Sequence, residues 1–332
     1  MKPTVRQISA FFEEWAPKST KLDYDNVGLM VGDAQQEVDR ILTCLDCTED
    51  VVEEAKRKNI SLIVSHHPLI FQKLSSITNK TPEGRIIRQL IANDISLLSV
   101  HTNLDAARDG VSVLLAEILG LSDIALLHKT TSFLQVRFKT KLDTSAFNDV
   151  PGCVWMDKTG DTITSVIPGT SKKAIIGTLK SEDADFEWIS DSEVQSSNAI
   201  HGFGAVGSYP QPMSQDEFLS RVCTELDTPS LHFSGSAEKI SKVAVCGGSG
   251  SKLIPLALAS GAQAFVTADI TYHSFFIDKP EFLLVDTGHY ENEFPIVAEM
   301  ARRLSDTFPE LDVFSTEVNT NPVKLFIHKN NQ

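Results

Sequence analysis

Apolar residues along this chain repeat in a helix-then-strand rhythm at both ends and in a strand-rich rhythm between them. Ile8, Phe11, Phe12 and Trp15 recur at helical spacing and predict an amphipathic helix over 5–15. A loop over 23–33 leads to an apolar run that predicts a strand at 40–46. Shorter runs predict strands at 61–65 and 95–100, with helices over 49–59, 82–93 and 110–120 between and after them. Thr48 is placed to cap the first of these helices, with Asp50, Glu53 and Glu54 near its positive end. Pro82 suits a first helical position and Gly120 a helix end. From about residue 201 the alternation returns. Ser214 and Glu217 have capping-box spacing for a helix over 215–226. Strands are predicted at 242–246, 263–267 and 282–285, with helices near 251–260, 271–277 and 293–305.

The pattern changes near Leu127. Residues 133–139 alternate as a half-buried strand does, and strand-like runs follow at 152–156, 162–167, 174–179 and 186–189. Pro151-Gly152, Thr159-Gly160 and Pro168-Gly169 punctuate them. Helix is expected only as short turns near 143–148 and 171–173, and the polar, acidic stretch 181–200 reads as a mobile connection. The expected fold class is α/β. Two related α/β portions, 1–127 and 201–332, would surround a shared metal cleft, with a β-rich insertion over 128–200.

Chemistry concentrates where predicted strands end. Strand 61–65 runs into His66-His67-Pro68, strand 95–100 into His101-Thr102-Asn103-Leu104-Asp105, and strand 282–285 into a segment carrying His289 and Glu293. Open α/β sheets bind ligands beyond the carboxyl ends of their strands. Imidazoles and carboxylates gathered there make a plausible cage for a divalent metal. Each segment also has an ordinary reading. A histidine after a strand is usually a satisfied polar residue, Asp105 could form a turn or cap a helix, and Glu293 could be a carboxylate at a helix amino terminus. His101 could ligate a metal, orient a carboxylate or carry protons. The turn Gly247-Gly248-Ser249-Gly250-Ser251 reads first as a tight strand-to-helix connection and second as an anion cradle, because it lacks a complete nucleotide fingerprint. Thr267-Ala268-Asp269 and Tyr272-His273 are candidates for the same rim, with Asp269 equally explicable as a helix cap.

Composition narrows the partners. The chain has 332 residues, 42% of them apolar and 22% charged, which is ordinary for a folded protein of about two domains. A formal net charge of −14 argues against extended contact with nucleic acid or anionic lipid. No apolar run reaches the ~20 residues of a membrane span. The start of the chain lacks a signal-peptide core, so a cytoplasmic location is expected. Five scattered cysteines do not resemble a disulfide framework. Cys44 and Cys47 look like a redox pair, but strand alternation predicts that they face opposite ways and are buried.

Several of these segments together resemble one family, the Nif-three-like dinuclear metal-center proteins, also called GTP cyclohydrolase I type 2 homologs. The resemblance runs through Asp25-Asn26-Val27-Gly28-Leu29, Ser65-His66-His67-Pro68-Leu69-Ile70-Phe71 and His101 to Asp105. It resumes in Gly202-Phe203-Gly204-Ala205-Val206-Gly207, Gly247-Gly248-Ser249-Gly250 and Asp286 to Glu293. Three positions depart from it. Tyr24 stands where the family commonly has tryptophan, Ala268 replaces a common glycine, and Ala205 occupies a frequently basic position.

The resemblance implies that His66, His67, Asp105, His289 and Glu293 hold two divalent metal ions per subunit, inside a ring-shaped homohexamer. Zinc and iron come first, with manganese, cobalt and nickel compatible with the same donors. The leading expectation is a metal-dependent hydrolase, cyclohydrolase or phosphoesterase-like, acting on a small and nucleotide-like substrate, with His101 as its proton carrier. The alternatives are a nonenzymatic metal-binding assembly or regulatory scaffold, and a purely structural α/β protein.

Overall fold

The computed structural model describes residues 2–130, 133–150, 153, 155–194 and 201–326. In chain order the first part holds α1 (Val5–Trp15), β1 (Gly28–Val31), β2 (Arg40–Cys44), α2 (Glu49–Arg57), β3 (Leu62–Ser65), α3 (Pro82–Ala92), β4 (Ser96–Ser99), α4 (Thr102–Asp105), α5 (Val111–Ile118) and β5 (Ser122–Lys129). The middle holds β6 (Phe133–Thr140), β7 (Trp155–Thr159), β8 (Thr162–Pro168), α6 (Lys172–Ser181) and β9 (Phe186–Val194). The last part holds β10 (Gly202–Met213), α7 (Gln215–Glu225), β11 (His232–Ser234), β12 (Ile240–Ser249), α8 (Ile254–Ala259), β13 (Ala264–Ala268), β14 (Leu283–Asp286), α9 (His289–Glu293), α10 (Pro295–Thr307) and β15 (Asp312–Ser315). Met1–His128 and Phe203–Gln332 form one compact unit, and Lys129–Gly202 forms another.

The larger unit is α/β, with two sheets. One has the order β1-β4-β3-β2-β15, the other β11-β14-β13-β12-β10-β5. Strands β15, β2, β3 and β4 run parallel, as do β12, β13 and β14. Strands covered on both faces read as near-continuous apolar runs. Leu62 to Ser65 and Ser96 to Ser99 are buried at every position, with serine only at the strand ends. Helix α10 packs Ile296, Val297, Met300 and Leu304 into the cluster that holds Ile41, Leu62, Val64 and Leu98. Thr43 fixes it there, its hydroxyl donating to the Val297 carbonyl at 2.9 Å.

The smaller unit has one antiparallel sheet, β7-β8-β6-β9, covered by α6. Here two expectations fail. The run 174–179, expected as a strand, is a helix. Ile175 and Leu179, four apart, are both fully buried, and a short apolar run does not reveal its own period. The strand expected at 186–189 is present and continues as β9 to Val194, into the stretch expected as a mobile connection; its Trp188 stacks on Phe138 with centroids 5.5 Å apart. Residues 195–200, and Pro151-Gly152 with position 154, lie outside the described residues.

Other differences are smaller. Residues 271–277 hold only a single 3-10 turn, Tyr272–Phe275. The short strands β1, β11 and β15, the longer β5 and β10, and the single helical turn α4 had no periodic signal strong enough to predict them. β12 continues to Ser249, so Gly247 and Gly248 belong to the strand rather than to a turn after it. Cys44 and Cys47 do not face opposite ways. The strand ends at Cys44, and both side chains pack into one cluster with Val51 and Val52. Burial pushes the Cys44 thiol up, and the Cys47 thiol to about 12, which suits inert packing residues.

Glu54 links the core to the end of the chain. It is 1% exposed and accepts from Lys58 Nζ at 2.7 Å, from the Thr316 hydroxyl and from the Glu317 amide at 3.1 Å. Burial opposes its charge, but Lys58, Thr316 and Glu317 outweigh burial and hold the carboxyl below its usual range. A depressed carboxylate stabilises the fold above its unfolded value, and the contribution fades as pH falls through the folded value. Glu54→Gln should therefore lower stability at pH 7 by about 1–3 kcal/mol. Urea denaturation should show the gap between wild type and variant closing below about pH 4.

Candidate metal centre

Strand register places the donors side by side. Cys44 pairs with Ser65 and Ser65 with Ser99, so the chains leaving β2, β3 and β4 emerge together. Asp46, His66, His67 and His101 follow directly. In the second sheet Thr267 pairs with Asp286, so Asp269 and the start of α9 emerge at another shared edge. α9 then turns His289 and Glu293, four apart, onto one face.

All six predicted residues meet. Glu293 is at the middle and 2% exposed. Its Oε2 lies 2.9 Å from His67 Nε2, 2.9 Å from His289 Nε2 and 4.0 Å from His66 Nε2. His66 Nε2 is 3.5 Å from Asp105 Oδ1. The His101 ring stands 5.5 Å from that of His66 and 5.4 Å from that of His67, centroid to centroid. His66, His67 and Glu293 each bring one ligand atom within 4.8 Å of the others, and this group could hold a metal ion.

What lies behind the imidazoles had not been predicted. His66 Nδ1 donates to the Val100 carbonyl at 2.8 Å. His67 Nδ1 pairs with Asp46 at 2.8 Å, His101 Nδ1 with Asp25 at 2.8 Å, and His289 Nδ1 with Asp269 at 2.7 Å. An oxygen at Nδ1 fixes both ring orientation and tautomer, leaving Nε2 for a metal or a proton. Asp269 thus orients a histidine rather than capping a helix. Thr320 donates to Asp46 at 2.9 Å, and the Thr102 amide donates to Asp25 at 3.1 Å, so the orienting carboxylates are themselves held. Asp46 and Asp269 closely follow β2 and β13, which is a signal a sequence carries, whereas Asp25 lies in the loop before β1 and carries none.

The electrostatics follow from burial and pairing. Burial holds His66 neutral, at about 3. Burial also opposes charge on His67 and His289. The carboxylates facing them outweigh it, lifting His67 to about 10 and His289 to about 9. Glu293 is the converse, pulled well below the usual carboxylate range by His289 and His67 despite its burial. Burial and the neighbouring Glu293 charge drive Asp105 well above that range. Asp25 is held at about 2, because His101 and Thr102 outweigh its burial.

Among the donors of this cluster, the buried atoms His66 Nε2 and Asp105 Oδ1 have no hydrogen-bond partner among the described residues. With Nδ1 donating to Val100, a neutral His66 presents a lone pair at Nε2, and Asp105 presents oxygen lone pairs. A buried acceptor left unpaired costs about 1–3 kcal/mol. A cation between two such acceptors satisfies both, so the donor set fits a divalent metal of imidazole and carboxylate preference.

The glycine run serves this centre differently from an anion cradle. The amides of Gly247, Gly248 and Gly250 already donate to Ser112, Asn292 and Thr267. Gly248, at φ +60°, passes so close that an added Cβ would lie 2.1 Å from Glu293 Oε1. Tyr272 and His273 pack with Phe276, and Tyr272 is 72% exposed.

The family model Duf34/NIF3 (NGG1p interacting factor 3) matches residues 3–322. A Halalkalibacterium halodurans protein named GTP cyclohydrolase 1 type 2 homolog is 31% identical over 95% of this chain and 97% of its own. A Clostridium acetobutylicum protein of the same name is 30% identical over 94% of each chain. Among solved structures, a Staphylococcus aureus hypothetical protein matches with TM-score 0.79 and 29% identity, covering 98% of this chain and 100% of its own. A Bacillus cereus protein related to NIF3 matches with TM-score 0.79 and 26% identity over the same shares.

Two outcomes are expected. Because His67 and His289 are protonated at neutral pH without metal and burial favours the neutral form of Asp105, zinc loading at pH 7 should release at least about two protons per subunit, and affinity should weaken as pH falls. Calorimetry in buffers of differing ionisation enthalpy measures the release. Gly248→Ala should displace the Glu293 carboxylate and weaken zinc binding about tenfold or more, the scale seen when groups supporting metal ligands are lost. A competition titration against a chromophoric chelator reads it.

Proposed function

Because the chain belongs to the Duf34/NIF3 family, we propose that it is a metal-dependent hydrolase. It would hold two divalent ions at His66, His67, Asp105, His289 and Glu293. The observation that carries this reading is the pair of unpartnered buried acceptors, His66 Nε2 and Asp105 Oδ1, beside a carboxylate shared by two further imidazoles. Bound there, divalent ions supply Lewis acidity and make water a better nucleophile near neutral pH. Zinc and iron are the first candidates, with manganese, cobalt and nickel admitted by the same donors.

The protein's own part is to position groups and move protons. Glu293 contacts His67 and His289 and comes near His66, so it would help hold the ions together with these imidazoles. Asp105, from the other side, completes the set. His101 is the proton carrier. Asp25 stays ionised and occupies Nδ1, so proton exchange falls to Nε2. The names of the relatives suggest a nucleotide-like small molecule and ring-opening hydrolysis; phosphoester cleavage would use the same residues. We extend the proposal to a homohexamer in the cytoplasm. No helix among the described residues is long and apolar enough to cross a membrane. A second reading, a nonenzymatic metal-binding or regulatory assembly, draws on the separate four-stranded unit Lys129–Gly202.

Elemental analysis after reconstitution should find about two metals per subunit. A screen of nucleotides and phosphoesters should find turnover that Asp105→Ala reduces at least a hundredfold while mass and circular dichroism stay unchanged. Metal at full occupancy with no turnover across the screen favours the second reading. No metal after reconstitution removes both.

A further inference from the structure

Beside His101 the fold leaves two aromatic rings uncovered. Tyr24 is 64% exposed and Phe71 46%. They come from different loops and meet edge to face, with centroids 6.2 Å apart. Phe71 stands edge-on to His101 at 6.4 Å, and His101 faces the imidazoles of His66 and His67. The rings therefore form a continuous row from the surface to the centre. The loops that carry them are tied together, because Asn26 Nδ2 donates to the Ile70 carbonyl at 2.6 Å. The Asn26 amide also donates to Asp25 at 2.7 Å, and Asp25 is the residue that orients His101. One hydrogen-bonded segment thus sets both the aromatic pair and the proton carrier.

Single exposed apolar residues need no explanation. Two rings in contact, at the edge of a buried cluster of convergent polar groups, match the lining of a small-molecule site. We propose that Tyr24 and Phe71 are a stacking platform for a planar heteroaromatic ring of the substrate, presented to His101. Their tilted arrangement suits a flat guest, which can stack on one ring while taking the edge of the other. With Nδ1 engaged by Asp25, His101 Nε2 is the atom left to hydrogen-bond a ring nitrogen or exocyclic group. An aliphatic guest would cover the same area but gain nothing from the ring quadrupoles or from that nitrogen. The platform deepens the proposed function by naming the residues that would hold the substrate's ring, and it rests on that reading for which end of the guest reacts.

Guanosine and adenosine, with ribose 5-phosphate as a control lacking an aromatic ring, can be titrated calorimetrically into the full chain, metal-free and zinc-loaded. Zinc content is measured on the same samples. Tyr24→Leu and Phe71→Leu keep bulk and remove the ring. Each should weaken nucleoside binding about tenfold or more, the scale of one base–aromatic stack, and leave zinc content unchanged. Tyr24→Phe should bind nucleosides as wild type does. Nucleosides binding no better than ribose 5-phosphate, or equally well to the leucine variants, would overturn the platform, whatever the zinc content. A change in sedimenting mass in the leucine variants without loss of nucleoside affinity would also overturn it, and would make the rim a contact between copies. Failure to bind zinc with the nucleoside pattern intact would instead remove the metal centre and keep the platform.

Discussion

One buried carboxylate governs this structure. An ionised glutamate taken out of water costs several kcal/mol unless opposite charge and hydrogen bonds compensate. Glu293 meets that condition through His67 and His289, both 2.9 Å from one of its oxygens. Those partners come from different sheets of the larger unit, His67 from the end of β3 and His289 from the helical turn after β14. The compensation therefore exists only when the two sheets are assembled. Glycine at 248 follows from the same constraint, since β12 runs where any side chain would strike the Glu293 carboxylate.

The orienting oxygens extend this logic outward. Imidazoles around a common point could each turn either nitrogen inward. Here Val100, Asp46, Asp25 and Asp269 engage the four Nδ1 atoms; Val100, Asp46 and Asp269 follow the ends of β4, β2 and β13, and Asp25 precedes the antiparallel β1. Parallel register that brings strand ends together thus delivers the donors and most of their supports as a set. Thr320 and Asn321, near the end of the described chain, reach back to Asp46 and Glu291. Glu54 holds Thr316 just before them. The terminal segment is consequently part of the scaffold of the centre.

The donors were legible because buried parallel strands are short apolar runs, and each ran straight into histidine or acid. Helices with caps were legible for the same local reason: Thr48, Thr81 and Ser214 all accept from amides in the first turn, as their spacing suggests. Elements that depend on distant partners were not. β1, β11 and β15 hold only three or four residues and gain their hydrogen bonds from strands far along the chain. Residues 172–181 carry too few apolar positions to separate a period of 3.6 from one of 2. Asp25 and Asp46 were hidden for another reason. A lone acid in a loop has many ordinary uses, and only the fold places Asp25 76 residues away in sequence from the imidazole it orients.

Charge balance then sets what the centre can hold. Asp25, Asp46, Asp105, Asp269 and Glu293 bring five carboxyl groups to four imidazoles, so even full protonation of the rings could not neutralise five ionised acids. Without metal, protons offset part of that charge: His67 and His289 are held in the charged form by the carboxylates they face, and burial pushes Asp105 up toward its neutral form. Those protons occupy the atoms a divalent ion would use, while His66 Nε2 is kept free by burial. Cations and protons therefore compete for one set of lone pairs. An anion would meet a cluster with no charge left to receive it, which is why an anionic substrate becomes acceptable here only after metal has supplied the positive field.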